Sequence, residues 1–269
     1  RRSLYLQMHR GDLHEFLASK VPDQIIRYGK TLAEVVDSGD GFRLMFEDGT
    51  DAYAETLIGA DGVHSLIRQH LSGAEAPRFM GRAAYRTTYP SALLGGAEIA
   101  DSTKWWGIDR HIVIYFTTRA RDEIYFTTSQ PETDWITESW SAEGDMDEML
   151  DAFKGFHGDV QSVLEACPHV NKWALFERDP LPKWSEGRAC LLGDACHPML
   201  PYMAQGAASS LEDAVVLARC LEAWGADDAP VAFDRFEALR KPRTSQLQLT
   251  SHQNKFMQQK TDPDCCLLY

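Results

Sequence analysis

Two short junctions restrict most strongly what this chain can fold into. Thr56-Leu57-Ile58 runs into Gly59-Ala60-Asp61-Gly62, and Ala189-Cys190-Leu191-Leu192 runs into Gly193-Asp194-Ala195. In each, a short apolar run bounded by glycine reads as a buried strand, and the sequence beyond it has helical periodicity. Such a junction suits nucleotide binding. Glycine permits close backbone approach, free helix N–H groups meet phosphate, and a carboxylate accepts hydrogen bonds from sugar hydroxyls. Asp61 and Asp194 are equally placed to act as ordinary helix caps. A third stretch, His9-Arg10-Gly11-Asp12-Leu13, opens an amphipathic helix over 10–20 that carries Leu13, Phe16 and Leu17 on one side.

Ahead of the first junction, strand-like segments are expected at 24–28, 32–36 and 42–46, with turns at Ser38-Gly39-Asp40-Gly41 and Asp48-Gly49, and past it a helix is expected over 63–71. Between the two junctions the character of the chain changes. From 76 to 183 aromatic and β-branched residues dominate, as in His111–Phe116 and Glu123–Thr128, which predicts an inserted, largely antiparallel sheet. A loop over 131–147 and helices over 145–156 and 159–167 belong to that insertion. Helices over 206–223, 229–240 and 243–258 complete the chain. The expected organisation is therefore one domain, residues 1–75 and 184–262, interrupted by a second at 76–183.

Bulk properties narrow the partners. Of 269 residues, 44% are hydrophobic and 25% charged, the balance of a globular protein. The formal net charge of -13 disfavours nucleic acid or an anionic membrane, both of which call for clustered Lys and Arg. The six cysteines, Cys167, Cys190, Cys196, Cys220, Cys265 and Cys266, lack C-x-x-C spacing, and the histidines lack ligand spacing, so no metal is expected and a reducing, cytoplasmic setting fits. No apolar run approaches the roughly 20 residues that span a bilayer. The ending Cys266-Leu267-Leu268-Tyr269 has the outline of a prenylation box without its polybasic partner.

The second junction continues as Cys196-His197-Pro198, then Met203-Ala204-Gln205-Gly206, then Glu212-Asp213-Ala214. Together with His9–His14, Leu57–Ser65 and Lys104-Trp105-Trp106, these stretches make the chain resemble the single-component FAD-dependent aromatic hydroxylases, the group that includes salicylate hydroxylase and 6-hydroxynicotinate 3-monooxygenase. The likeness runs to about residue 248. It implies an α/β, three-layer FAD/NAD(P)-binding fold with an inserted antiparallel substrate sheet. It also implies NADH or NADPH as co-substrate, O2 activated as a flavin C4a-hydroperoxide, and a small aromatic or heteroaromatic acid as the molecule hydroxylated, by a monomer or homodimer.

Carried onto this sequence, the resemblance implies that Asp194 accepts a hydrogen bond from the ribityl chain. Arg10, Asp61 and Gly62 would serve the pyrophosphate region. Pro201, Gln205, Gly206 and Ala207 would lie against the flavin ring. A helix N-terminus at Gly206-Ala207 independently favours an anionic reduced flavin, since it offers unsatisfied donors and about half a positive charge. His197 is the first expected proton acceptor, because imidazole titrates near neutrality, with holding the loop as its other reading. Tyr85 is the second expected catalytic group, and Tyr115 and Met203 join Tyr85 and His197 as expected substrate contacts. Trp105 and Trp106 are further candidates for pocket lining. Tyr85 and Tyr202 stand where hydroxynicotinate-acting members carry histidine.

The G-x-G-x-x-G turn with which members of this group begin has no counterpart here, and the chain opens on Arg1. The expectation is a polypeptide that lacks the first part of the dinucleotide-binding domain, binds FAD weakly or not at all and aggregates readily. The related chemistries of epoxidases and reductases, or a fragment without activity, are the other readings.

Overall fold

The computed structural model describes residues 8–133, 142–225 and 227–257; the expected features at 261–269, with Cys265 and Cys266, and part of the 131–147 loop lie outside them. In chain order the elements are α1 (Arg10–Ala18), β1 (Leu32–Asp37), β2 (Phe42–Phe46), β3 (Asp51–Ala54), β4 (Leu57–Gly59), α2 (Leu66–Ser72), β5 (Arg78–Pro90), β6 (Ser102–Trp106), β7 (His111–Phe116), β8 (Glu123–Pro131), β9 (Ala142–Glu143), α3 (Met146–Ala152), α4 (Gly158–Glu165), β10 (Asn171–Glu177), β11 (Ser185–Glu186), β12 (Ala189–Leu191), α5 (Gly206–Trp224) and α6 (Ala229–Met257). They gather into two compact units. Among the described residues, one comprises those of 27–78 and 176–257, the other those of 8–26 and 79–175.

In the first unit β4 and β12 run parallel, with Leu57 opposite Ala189 and Gly59 opposite Leu191, so the two glycine junctions leave the same edge of the sheet side by side. Gly59 is required there: a Cβ would lie 2.8 Å from Ile67 and 2.9 Å from Leu191, which would push α2 off the strand. Trp184, Leu191, Leu217, Phe233 and Phe236 form the buried core between this sheet and helices α5 and α6. β1, β2 and β3 make a separate antiparallel sheet.

Two expectations in or beside this unit are corrected. Residues 24–28 form no strand. Asp23–Ile25 is a single 3-10 turn, and Ile25 and Tyr28 are 68% and 74% exposed, so no neighbouring strand rewards extension there. The two last helices are one, with Pro242 inside it. Proline removes an N–H and crowds the preceding turn, yet side chains on both sides of it are tied down. Arg240 reaches Asp213 and Glu212, Lys241 donates to the Pro182 carbonyl, and Arg243 pairs with Glu212.

The second unit is built on a six-stranded sheet in the order β6-β7-β8-β5-β10-β9. Within the expected sheet neither β5, thirteen residues long, nor β10 was delimited from sequence, since arginine and threonine break up the apolar signal of β5. Alternation puts Ala83, Tyr85 and Tyr89 of β5 on the face with Ile112, Ile114, Ile124 and Phe126. That face is buried with Met149, Phe153, Val160 and Leu164 of the α3–α4 region. On the other face the register sets Arg86, Thr127, Val113 and Lys104 in one cross-strand row. α1 buries none of its residues.

Candidate active site

In the first unit, the parallel strands β4 and β12 each lead into a turn that carries an aspartate. Asp61 accepts the Ser65 hydroxyl at 2.5 Å and the N–H groups of Leu66 and Ile67 at 2.9 and 3.3 Å, so its carboxylate is engaged as the cap of α2. Gly62 beside it has φ +78°, a left-handed turn that glycine adopts without strain. Asp194 is exposed, on the single 3-10 turn that follows β12. The chain next passes through Pro198 and Pro201, turns left-handed at Ala204 (φ 51°), and enters α5 at Gly206. No side chain caps α5, and Ala207 and Ala208 are exposed at its first turn. An uncapped helix start lined by small residues, with an exposed carboxylate on the neighbouring strand end, fits a flat ligand carrying partial negative charge and hydroxyls. FAD is such a ligand.

His197 is 0% exposed. Its Nε2 lies 2.5 Å from Asp213 Oδ2, and the ring packs 5.2 Å from Trp184. Asp213, also fully buried, accepts the Gly193 N–H at 3.3 Å and Arg240 Nε at 2.6 Å. Burial alone would raise the Asp213 pKa, but the hydrogen bonds and charges of His197 and Arg240 outweigh it and hold the carboxyl below its ordinary value. Nδ1 of His197 has no hydrogen-bond partner among the described residues. This geometry corrects the expectation of a ligand-facing base, because the imidazole is an interior strut between β12, α5 and α6. Cys196, His197 and Asp213 bring three potential metal-ligand atoms within 4.8 Å of one another. The guanidinium of Arg240 already supplies the positive charge that Asp213 faces. Met203 and Gln205 are half-buried in the loop, and Pro201 is exposed.

In the second unit Tyr85 is corrected likewise. It is 0% exposed in the core, its ring so close to Gly144 that a Cβ there would lie 2.9 Å from it. Burial, then Glu148, push its phenol well above the ordinary range, so it stays protonated. The half-exposed face carries the expected contact Tyr115 together with two basic residues, Arg86 and Lys104, that were not expected as site residues. Arg86 lies 3.2 Å over the Trp173 ring, and burial lowers its pKa; the phenols of Tyr125 and Tyr115 and the charge of Arg10 also act on it. Tyr115 and Tyr125 pair at 4.8 Å. Lys104 sits 4.0 Å over Trp106, and burial pulls its pKa from 10.5 to about 8. His111, at 5% exposure, falls to about 3 through burial and the neighbouring Lys104 and Arg82, and is neutral at pH 7. Among the described residues neither Arg86 nor Lys104 has a carboxylate partner. The signal available in sequence was a basic residue on each of two alternating strands, but it becomes a pair only through the register.

Residues 33–250 match the FAD binding domain family. The chain is 46% identical over 267 residues to 6-hydroxynicotinate 3-monooxygenase of Bordetella bronchiseptica, which covers 98% of this chain and 70% of that protein. It is 44% identical over 268 residues to the protein of the same name from Pseudomonas fluorescens, covering 98% and 69%. A solved structure, a salicylate hydroxylase substrate complex, superposes with a TM-score of 0.80 at 28% identity over 95% of this chain and 67% of that one. With the family match spanning most of the chain and both relatives above 40% identity over more than two thirds of their own length, the chain belongs to the FAD-dependent aromatic hydroxylases, flavoprotein monooxygenases that use reduced nicotinamide as co-substrate.

Proposed function

We propose that this protein hydroxylates a small aromatic or heteroaromatic acid of the salicylate or hydroxynicotinate kind, and that the cationic row of the six-stranded sheet recognises the acid. The observation that carries this reading is that Arg86 and Lys104, half-buried and without a carboxylate partner among the described residues, stand at the two ends of one row across four strands, in a chain of net charge -13. Leaving two cations half-buried and unpaired lowers stability, and such a cost is characteristic of a ligand site. Trp173, Tyr115 and Tyr125 add aromatic surface for a ring. The names of the relatives point to the same substrate class.

Asp194 would hold ribityl hydroxyls, and the N–H groups of Gly206 and Ala207 would face the anionic edge of the flavin ring. Bound FAD supplies electron transfer from reduced nicotinamide and the activation of O2. The chain's own contribution is orientation, exclusion of water and charge. Lys104, with its pKa near 8, can stabilise a substrate oxyanion at neutral pH, which enriches the ring to be hydroxylated. His197 and Tyr85 serve as positioning and packing groups. The cytoplasm is the proposed location, consistent with four buried free cysteines; no helix among the described residues is long and apolar enough to cross a membrane.

The test is substrate-stimulated oxidation of NADH and NADPH with 2-hydroxybenzoate and 6-hydroxynicotinate. Arg86→Met is expected to raise KM for the acid about 30-fold, the loss of about 2 kcal/mol of charged hydrogen bonding. Lys104→Met is expected to lower kcat more than it raises KM and to raise the urea midpoint, because a desolvated charge is removed. Unchanged KM in Arg86→Met for every acid that stimulates oxidation would remove the cationic row from substrate recognition.

A further inference from the structure

The loop that enters α5 is held from behind by side chains of α6, and the contacts form an ordered ladder. Arg240 grips Asp213, which in turn holds the Gly193 N–H and His197. Two turns on, Gln248 Nε2 donates to the Pro198 carbonyl at 3.0 Å. Ser251 Oγ donates to the Leu200 carbonyl at 2.5 Å, and Asn254 Nδ2 donates to the sulfur of Met203. Positions 240, 248, 251 and 254 share one face of the helix, and they meet the loop in the order of its own sequence, 193 to 203. The loop needs this. Its prolines have no N–H, it makes no strand pairing, and Pro198 and Leu200 are buried, so their carbonyls depend on these donors.

We infer that α6 is the template for the flavin loop, with Gln248 and Ser251 as positioning residues that fix the backbone between Asp194 and Gly206 in its ligand-ready path before any cofactor arrives. Ala204, left-handed and so disfavoured for any residue with a side chain, follows directly on the last rung and donates its N–H to the Pro201 carbonyl at 3.0 Å. This inference rests on the flavin reading for its consequence, although not for its geometry.

Hydrogen exchange and FAD titration on the whole protein test it, with Gln248→Leu, Ser251→Ala and, as a control, Gln246→Ala. Gln246 is exposed on the same helix and, among the described residues, its side chain donates to Thr250 and not to the loop. In both ladder variants the amides of residues 199–207 are expected to exchange at least about 10-fold faster while those of β12 and the middle of α5 stay within about two-fold. Fluorescence quenching of FAD should then report a dissociation constant raised about 10-fold or more. The control should match the unsubstituted protein in both. Unchanged loop exchange overturns the inference, as does exchange that accelerates uniformly through α5 and α6, or a loosened loop with unaltered FAD affinity. If the unsubstituted protein does not bind FAD, the exchange pattern alone decides the ladder, and the flavin reading is decided separately by substrate-stimulated NADH oxidation.

Discussion

Asp213 is the residue on which most of the first unit's polar interior converges. A carboxylate at 0% exposure is tolerated only when its charge and lone pairs are answered, and here Arg240, His197 and the Gly193 N–H do so. Its folded pKa lies below the ordinary 3.8, and those of Glu212 and Glu237 lie below 4.5. A depressed folded pKa contributes stability that is complete above the ordinary value and is lost as the pH falls through the folded one. Urea midpoints measured from about pH 6 to about pH 3 should therefore drop steeply below about pH 4. Asp213→Asn should cost about 3 kcal/mol at neutral pH and make that acid limb shallower. An acid limb of unchanged slope in the variant would show that the buried carboxylate does not carry it. At this scale the sequence conveyed the chemical type of each group but not its surroundings. The strand end before Asp194 and the helix start at Gly206 were legible as structure, whereas His197 and Tyr85 were read as reactive from residue type although packing encloses them. Arg86 and Lys104 were not read as a site because eighteen residues separate them in sequence, and only the strand register aligns them.

Among the elements, α6 shows why local signals mislead. Pro242 and the charged residues around it read as a boundary, yet the helix runs unbroken from Ala229 to Met257. The ion pairs of Arg240 and Arg243 with Glu212 and Asp213 fasten both sides of the proline to α5 and outweigh the missing hydrogen bond. The converse holds at 24–28, where apolar residues with strand propensity find no partner and stay outside a sheet. Strands β7, β8 and β12 and helix α5 were legible because periodicity and tertiary packing agree in them. β5 was not, because its alternation interleaves core residues with the arginines and threonines of the other face. If tertiary contacts rather than local preference hold α6 together, Pro242→Ala should restore a backbone donor without altering those contacts and raise stability by about 1–3 kcal/mol. Chemical denaturation reads this directly, and a destabilised variant would mean that the proline itself shapes the helix.

At the scale of the whole molecule, the net charge of -13 and the cationic row oppose each other, and an acidic substrate experiences both. Far from the protein, the field of the chain repels an anion; close to the sheet, Arg86 and Lys104 attract it. Salt separates the two, because the Debye length shrinks from about 30 Å at 0.01 M to about 10 Å at 0.1 M. Long-range repulsion is screened over that range, whereas half-buried charges in contact with their ligand are screened far less. Association of an aromatic carboxylate should therefore accelerate as salt rises, by roughly two- to ten-fold on the scale of electrostatic steering. Its dissociation rate should change little, since the contact pair governs release. This is the reverse of what a basic protein shows with an anionic ligand. Stopped-flow binding of 2-hydroxybenzoate at a series of ionic strengths would measure both rates, and association that slows with added salt would place the anion under a positive long-range field that this composition does not provide.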